Sequence, residues 1–469
     1  MSTAAADSPD WDRATDEVVE HLRALIRIPS VNPPDGGPAL AAGRDPTGGE
    51  TAAARYCAEV LSDAGIPAVV LETAPGRGSC FARLPATVRD PAPPLVLMSH
   101  VDVVPVEAAS WTHDPFAADL EDGVVWGRGA VDMKQMVAME LGVMTALATS
   151  SEPRRRDVIF AAVADEEAGG NFGALHWVRE RPDLFAATDG RPAEAAINEV
   201  GGYSMTVGGR RIYTIQVAEK GIIWTRLRAS GTPGHGSMPH RDNPAVKLAA
   251  AVTRLAAAPH PARLIPVVAD FLTALGLGAV VRAAEAGDED AVRNELETRV
   301  EDPVLRRSLD AMLRDTVTPN MIHVGQKMNV IAGSGEAEVD VRTLPGTNQT
   351  AFLAALQARA GDEVTVESVL TMPPVECSPE APIVELMSRA LRRADPEGIP
   401  APMMITPGTD AKAMSLLGTP TYGFSPLRLE PDVPFLSLFH AHDERVSVSA
   451  LRFGLPVLHE VASAFTSTR

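Results

Sequence analysis

Three short apolar runs, each leading into a helical pattern, constrain this chain more than any other feature. They are Leu95-Val-Leu-Met-Ser99, Val158-Ile-Phe-Ala-Ala-Val163 and Ala195-Ala-Ile197. A run without polar alternation suits a strand covered on both faces, and strands alternating with helices build a mostly parallel α/β sheet with helices on both faces. An amphipathic stretch from about Trp11 to Ile28 predicts a first helix, stopped by Pro29. A Gly/Pro-rich loop from Asn32 to Gly49 leads to a second helix, about Glu50 to Ala64.

The chain of 469 residues is too long for one compact core. The texture changes near Lys220, where Ile222 to Arg228 alternates like a strand with one wet face. A helix (about Pro244 to Ala257), strands at Met328 to Ile331 and Ala337 to Arg342, a helix (about Thr350 to Arg359) and a strand (Glu363 to Val369) complete a βαββαβ order. An acidic helical stretch of roughly sixty residues interrupts it. The expected organisation is one α/β domain in two parts, 1–220 and 371–469, interrupted by an inserted domain at 221–370. The most apolar run, Leu264 to Val281, is broken by Pro266, Asp270 and glycines, and reads as a lid or interface helix. It is too broken for a membrane span of about 20 residues.

Net charge is −19 (42 basic against 61 acidic residues), a surface that repels nucleic acid and anionic membranes and predicts neither as partner. The opening MSTAAADSPDWDRATDEVVEHL has no basic start and no apolar core, so a secretory signal is not expected. Cys57, Cys80 and Cys377 are scattered and odd in number, which suits buried thiols of a reduced compartment. Cytoplasm is the expected location.

Acids and histidines gather where the predicted strands end. His100 and Asp102 close the first run, Asp132 stands at the start of the following helix, Asp165-Glu166-Glu167 follow the second run, and Glu199 follows the third. Open α/β sheets bind ligands beyond the carboxyl ends of their strands, so these groups converge on one crevice. His440-Ala-His442-Asp-Glu444 is a late addition to the set. Carboxylates crowded in one crevice repel, divalent cations cancel that charge, and mixed His and carboxylate ligands suit zinc. A lone acid of this kind is usually a cap or a surface group; several at successive strand ends are not. Of the adjacent Glu166 and Glu167, one can ligate a metal while its neighbour takes a proton.

Longer motifs identify a resemblance. Leu97-Met-Ser-His-Val-Asp-Val-Val-Pro105, Trp111-Thr-His-Asp-Pro-Phe116, Trp126-Gly-Arg-Gly-Ala-Val-Asp-Met-Lys134, Asp165-Glu-Glu-Ala-Gly-Gly170, Gly231-Thr-Pro-Gly-His-Gly-Ser237 and Gly408-Thr-Asp410 span nearly the whole chain. The chain resembles the di-zinc metallopeptidase and deacylase family of aminoacylase, succinyl-diaminopimelate desuccinylase, acetylornithine deacetylase and glutamate carboxypeptidase, most of all its carboxypeptidase S and aminoacylase branch.

The resemblance implies two zinc ions per chain, with cobalt or manganese as alternatives. His100, Asp132 and Glu199 would hold one, and Asp132, Glu167 and His440 the other. Asp102 would orient the His100 ring, Glu166 would be the general base, and His235 would polarise the scissile carbonyl, from its own chain or across a homodimer formed by the inserted lid domain. Asn329, Arg342, Gly408 and Thr409 would bind the substrate. The small-molecule substrate would be an N-acyl amino acid or short peptide, cut next to a free carboxylate. Two positions depart from the family pattern: Ala332 stands where a proline is usual, and Lys412 where many members have arginine. An aminopeptidase or dipeptidase acting on a free amine is the main alternative, and a non-catalytic binding relative a remoter one. A nucleotide-binding protein is disfavoured because Gly127-Arg-Gly129 is followed by an acid, not by a phosphate cradle.

Overall fold

The computed structural model describes residues 9–32, 49–257, 259–431 and 433–467; the Gly/Pro-rich loop expected before Gly49 falls at 33–48, outside them. The chain divides into two compact units, one of residues 1–217, 377–403 and 409–469, the other of 218–376 and 404–408.

In the first unit the three apolar runs become strands Ala92–His100, Arg156–Val163 and Ala195–Asn198, joined by Thr421–Gly423. These four are parallel neighbours, with Arg156–Val163 and Ala195–Asn198 on either side of Ala92–His100 and Thr421–Gly423 beyond Ala195–Asn198. Gly78–Leu84 pairs antiparallel outside Arg156–Val163. Every residue of Arg156–Val163 is buried, as is Leu95 to His100, which explains the unbroken apolar text. Helices Trp11–Ile26, Lys134–Thr149 and Val448–Ser467 pack on one another and the last two on the strands. Gly142 leaves room for the other two helices, since a Cβ there would lie 2.7 Å from Val18 Cγ2 and 3.1 Å from Leu455 Cδ1. Cys57, Cys80 and Cys377 are buried and form no disulfide among the described residues. Among the described residues, no helix is long and apolar enough to cross a membrane.

The second unit holds an antiparallel sheet whose strands lie in the order Thr316–Val324, Ser334–Thr343, Gly221–Ser230, Thr365–Met372. Alternating residues of the two central strands (Ile223, Leu227, Ala229; Ala337, Val339, Val341) bury one face under helices Pro244–Ala256 and Gln349–Ala360. One expectation is corrected. The second long strand is Thr316–Val324, and the segment expected in its place supplies only the two-residue ribbon Val330–Ile331, paired with Gly234–His235. Thr316–Val324 lies on the sheet edge, is largely exposed, and carries Pro319 with a register shift beside it, so it lacks the apolar alternation that marks a strand.

The helical stretch is four helices, Pro266–Ala274, Gly278–Glu285, Glu289–Arg299 and Pro303–Met312. The apolar run Leu264 to Val281 does not form an exposed lid helix. Val267, Val268, Phe271, Leu272 and Val280 turn inward with Val292, Leu296 and Leu309 as the core of this bundle. Buried Arg314 ties it together through Glu289 (2.9 Å) and Asp310 (2.7 Å). Lys220 Nζ closes it by donating to the carbonyls of Ala311 and Arg314.

Candidate metal centre

The strand ends of the first unit place the acids. His100 is the last residue of its strand, Glu199 directly follows Ala195–Asn198, and Asp132 stands two residues before helix Lys134–Thr149. Glu166 and Glu167 begin a single 3-10 turn after Arg156–Val163. Asp165, Val200 and His440 all have positive φ (68°, 57° and 59°), a conformation unfavourable for non-glycine residues and worst for a β-branched valine. Such strain persists only where the surroundings over-determine the backbone. Here they do.

Two groups of ligand-type side chains form, His100 with Asp132 and Glu199, and Asp132 with Glu167 and His440, the ligand atoms of each lying within 4.8 Å of one another. Asp132 belongs to both. Its Oδ1 lies 3.1 Å from His100 Nε2 and its Oδ2 lies 3.2 Å from His440 Nε2. Glu199 Oε2 is 3.7 Å from His100 Nε2, and Glu167 Oε2 is 3.1 Å from His440 Nε2. His442 belongs to neither group; its Nε2 is 3.7 Å from Glu107 and its ring edges onto Trp111.

The electrostatics describe a pocket that demands positive charge. Burial would lower the pKa of the His100 ring, but Asp102, Asp132 and Glu199 overcome it and hold the ring well above its ordinary value. Hydrogen bonds donated to Asp132 and Glu167 push His440 up to about 10. Burial, then Asp132, raises Glu167 to about 7, and burial, then Glu199, raises Glu166 well above the usual carboxylate range. A proton on each ring nitrogen is one way to supply the charge, and a divalent cation is another. The donor set fits a pair of cations: each group offers one imidazole and two carboxylates, and one carboxylate spans both. Glu167 Oε1 is buried with no hydrogen-bond partner among the described residues, an unmet acceptor of the kind a cation satisfies.

Around the ligands is a supporting layer. Asp102 holds His100 Nδ1 through its carbonyl oxygen at 3.0 Å with Oδ1 at 3.4 Å, and its carboxylate accepts the backbone N–H groups of both Glu166 and Glu167 at 3.1 Å. Fully buried Glu444 accepts from Arg128 Nη1 (2.6 Å) and from the N–H groups of Gly129, Val131 and Asp132, clamping the turn that carries the shared aspartate. Asp410 is also buried, with Oδ2 unpartnered. Sequence reading assigned no role to Asp410, Arg128, Asn32 or Arg77, although Asp410 and Arg128 stood inside recognised motifs.

The remaining expected site residues lie in the second unit or at its boundary. His235 is exposed on its two-residue strand, and its Nδ1 accepts the Ser237 N–H at 3.2 Å. A neutral ring therefore carries its proton on Nε2. Asn329 is exposed beside it, its carbonyl accepting the Gly236 N–H. Arg342 points Nε and Nη2 at the two oxygens of Asp340, at 2.7 and 3.0 Å. Gly408 and Thr409 precede the short helix Ala411–Ser415, whose first N–H is accepted by Thr409 Oγ1.

Paired carboxylate and imidazole groups at the strand ends of an α/β sheet are the arrangement of a metal-dependent hydrolase. The sequence pattern of peptidase family M20/M25/M40 matches residues 96–464, and the chain belongs to that family of metal-dependent peptidases and amidohydrolases. It is 26% identical to a probable carboxypeptidase S-like protein of Dictyostelium discoideum over 76% of this chain and 68% of that one. It is 26% identical to aminoacylase-1 of Sus scrofa over 95% of this chain and 94% of that one. An M20 family metallo-carboxypeptidase from Sulfolobus solfataricus superposes with a TM-score of 0.71 at 17% identity, over 97% of this chain and 100% of the other, a likeness of fold.

Proposed function

We propose that the chain hydrolyses an amide or peptide bond next to a free carboxylate, in an N-acyl amino acid or short peptide, with two zinc ions and Glu166 as general base. The observation that carries this reading is Asp132, whose two oxygens face two different histidines. Bound there, the cation pair would supply Lewis acidity toward water and the scissile carbonyl. Glu166 then takes the proton of the attacking water and returns it to the leaving nitrogen. Glu167, one residue on, is a ligand, and Asp102 separates the two roles by fixing both N–H groups. His235 offers its Nε2 proton to the developing oxyanion. Arg342 spends Nε and Nη2 on Asp340, which leaves the Nη1 amino group for the substrate carboxylate, with Asn329, Gly408 and Thr409 as further donors. A homodimer through the inserted unit accords with the exposed edge strand Thr316–Val324.

The test compares Glu166→Gln with Glu167→Gln. The first should keep two metals per chain while kcat falls about 10²–10⁴-fold. The second should lose metal together with rate. Loss of metal from Glu166→Gln, or wild-type turnover in it, defeats the assignment. A panel of N-acyl amino acids, N-blocked dipeptides and free-amine dipeptides then separates the carboxylate-directed reading from a dipeptidase.

A further inference from the structure

We infer that Arg77 is a positioning residue of the metal centre, acting through Asn32 and Asp165 on Asp102 and on the turn that carries Glu166 and Glu167. The inference rests on the metal reading above and extends it to residues that touch no ligand atom. Arg77 lies in the turn before strand Gly78–Leu84, and its side chain is fully buried. Nη1 donates to Glu50 Oε1 at 2.6 Å; Nη2 lies 3.3 Å from Asp165 Oδ1 and 3.4 Å from Asn32 Oδ1. The guanidinium also sits 5.4 Å over the ring of Phe172.

Each partner passes the constraint on. Asn32 Nδ2 donates to Asp102 Oδ2 at 2.7 Å and lies 3.3 Å from Asp165 Oδ1. Glu50 Oε1, held by Arg77, accepts the backbone N–H of Asp165 at 3.1 Å. Asp165 Oδ2 accepts the N–H of Phe172, so the left-handed residue that turns the chain toward Glu166 is gripped at its backbone and at both carboxylate oxygens. Asp102 completes the path through the N–H groups of Glu166 and Glu167 and the His100 ring.

A buried arginine among Glu50, Asp165 and Asp102 is costly to hold, and a salt bridge so placed contributes little net stability over an apolar packing. What it can supply is geometry. The planar fork reaches Glu50 through one nitrogen and Asp165 and Asn32 through the other, which a lysine ammonium cannot reproduce with the same directions. Partners that orient metal ligands from behind typically alter metal affinity or activity by about 10–100-fold when removed.

The experiment uses the full-length enzyme as wild type, Arg77→Lys and Asn32→Ala. Zinc affinity is measured by chelator competition, kcat and KM on the best substrate of the panel, and thermal unfolding with the metal stripped. The expected result is a zinc affinity and a kcat each lowered about 10–100-fold in Arg77→Lys, and less in Asn32→Ala, with KM nearly unchanged. If Arg77→Lys fails to fold, Asn32→Ala decides alone. Wild-type zinc affinity and kcat in a folded variant, with loss confined to the melting of the stripped protein, would make Arg77 a purely structural residue and overturn the inference. A wild-type protein that binds no zinc would overturn the parent reading and this one with it.

Discussion

The surroundings of the metal centre in the first unit and the open sheet face of the second handle charge in opposite ways. In the first, Arg77 with Glu50 and Arg128 with Glu444 are buried pairs, and buried Asp102 and Glu444 accept backbone N–H groups behind the ligands. In the second, the open face of the sheet carries Arg226 with Glu338 and Arg228 with Glu367, all exposed by between 30% and 51%. Exposed pairs contribute at most about 1 kcal/mol each and tolerate exchange. Breaking a buried pair by removing one partner costs roughly 3–5 kcal/mol. The contrast separates a part of the molecule that must hold ligand atoms to fractions of an ångström from a part whose sheet asks chiefly for solubility and shape.

The largest expected effect tests the buried side of that contrast. His440→Ala removes one of the three side chains of the Asp132, Glu167 and His440 group and should abolish most turnover, on the order of 10³-fold or more, with metal content falling below two per chain. His442→Ala should stay within about threefold, because its ring stands outside both ligand groups, beside Glu107 and Trp111. Elemental analysis and turnover on both variants decide it, and the reverse ranking would move the second metal to the wrong histidine.

A middle-sized effect belongs to the second unit. Arg342→Met should raise KM about tenfold and leave kcat within about twofold, as expected where a group binds substrate and transition state alike. Its thermal stability should change little, since the Asp340 pair is partly exposed. A collapse of kcat with unchanged KM would mean that the second unit takes part in catalysis as rigidly as the first.

The smallest effect concerns a buried titratable group away from the metal centre. Burial lowers His459, on helix Val448–Ser467, to about 4. Between about pH 4 and 6.5 the unfolded chain then binds the proton that the folded chain refuses, so stability rises with pH across that window and is lost as pH falls through it. His459→Gln should flatten this limb by roughly 1–3 kcal/mol. An unchanged acid limb in denaturant titrations would show that the ring is accommodated in its charged form.

Legibility in the sequence follows the same division. Three central strands of the first unit were readable because burial on both faces leaves an unbroken apolar text, and the gathering of His100, Asp132, Glu167, Glu199 and His440 was expected from the motifs that carry the family resemblance. Arg77 was not. It stands in Ala74-Pro-Gly-Arg-Gly78, where an arginine looks like the solvated tip of a turn, and only the approach of Glu50, Asn32 and Asp165 from distant segments buries it. Strand Thr316–Val324 escaped because an edge strand with Pro319 carries no core-facing alternation. The run Leu264 to Val281 misled in the other direction, since four short helices packing on themselves need the same apolar content as a surface that waits for a partner.

The clamp on Asp132 sets a clock on the newly made chain. Arg128 and Glu444 are separated by 316 positions, and no nearer residue replaces the carboxylate that accepts the Val131 and Asp132 N–H groups. At about 5–20 residues per second, Asp132 leaves the ribosome roughly 15 s to a minute before Glu444 and His440. Through that interval the first sheet can form, but its cluster of acids lacks both the clamp and the second histidine. Hydrolytic power should therefore switch on in one late step, and a ribosome-stalled chain ending at residue 430 should be silent rather than weakly active.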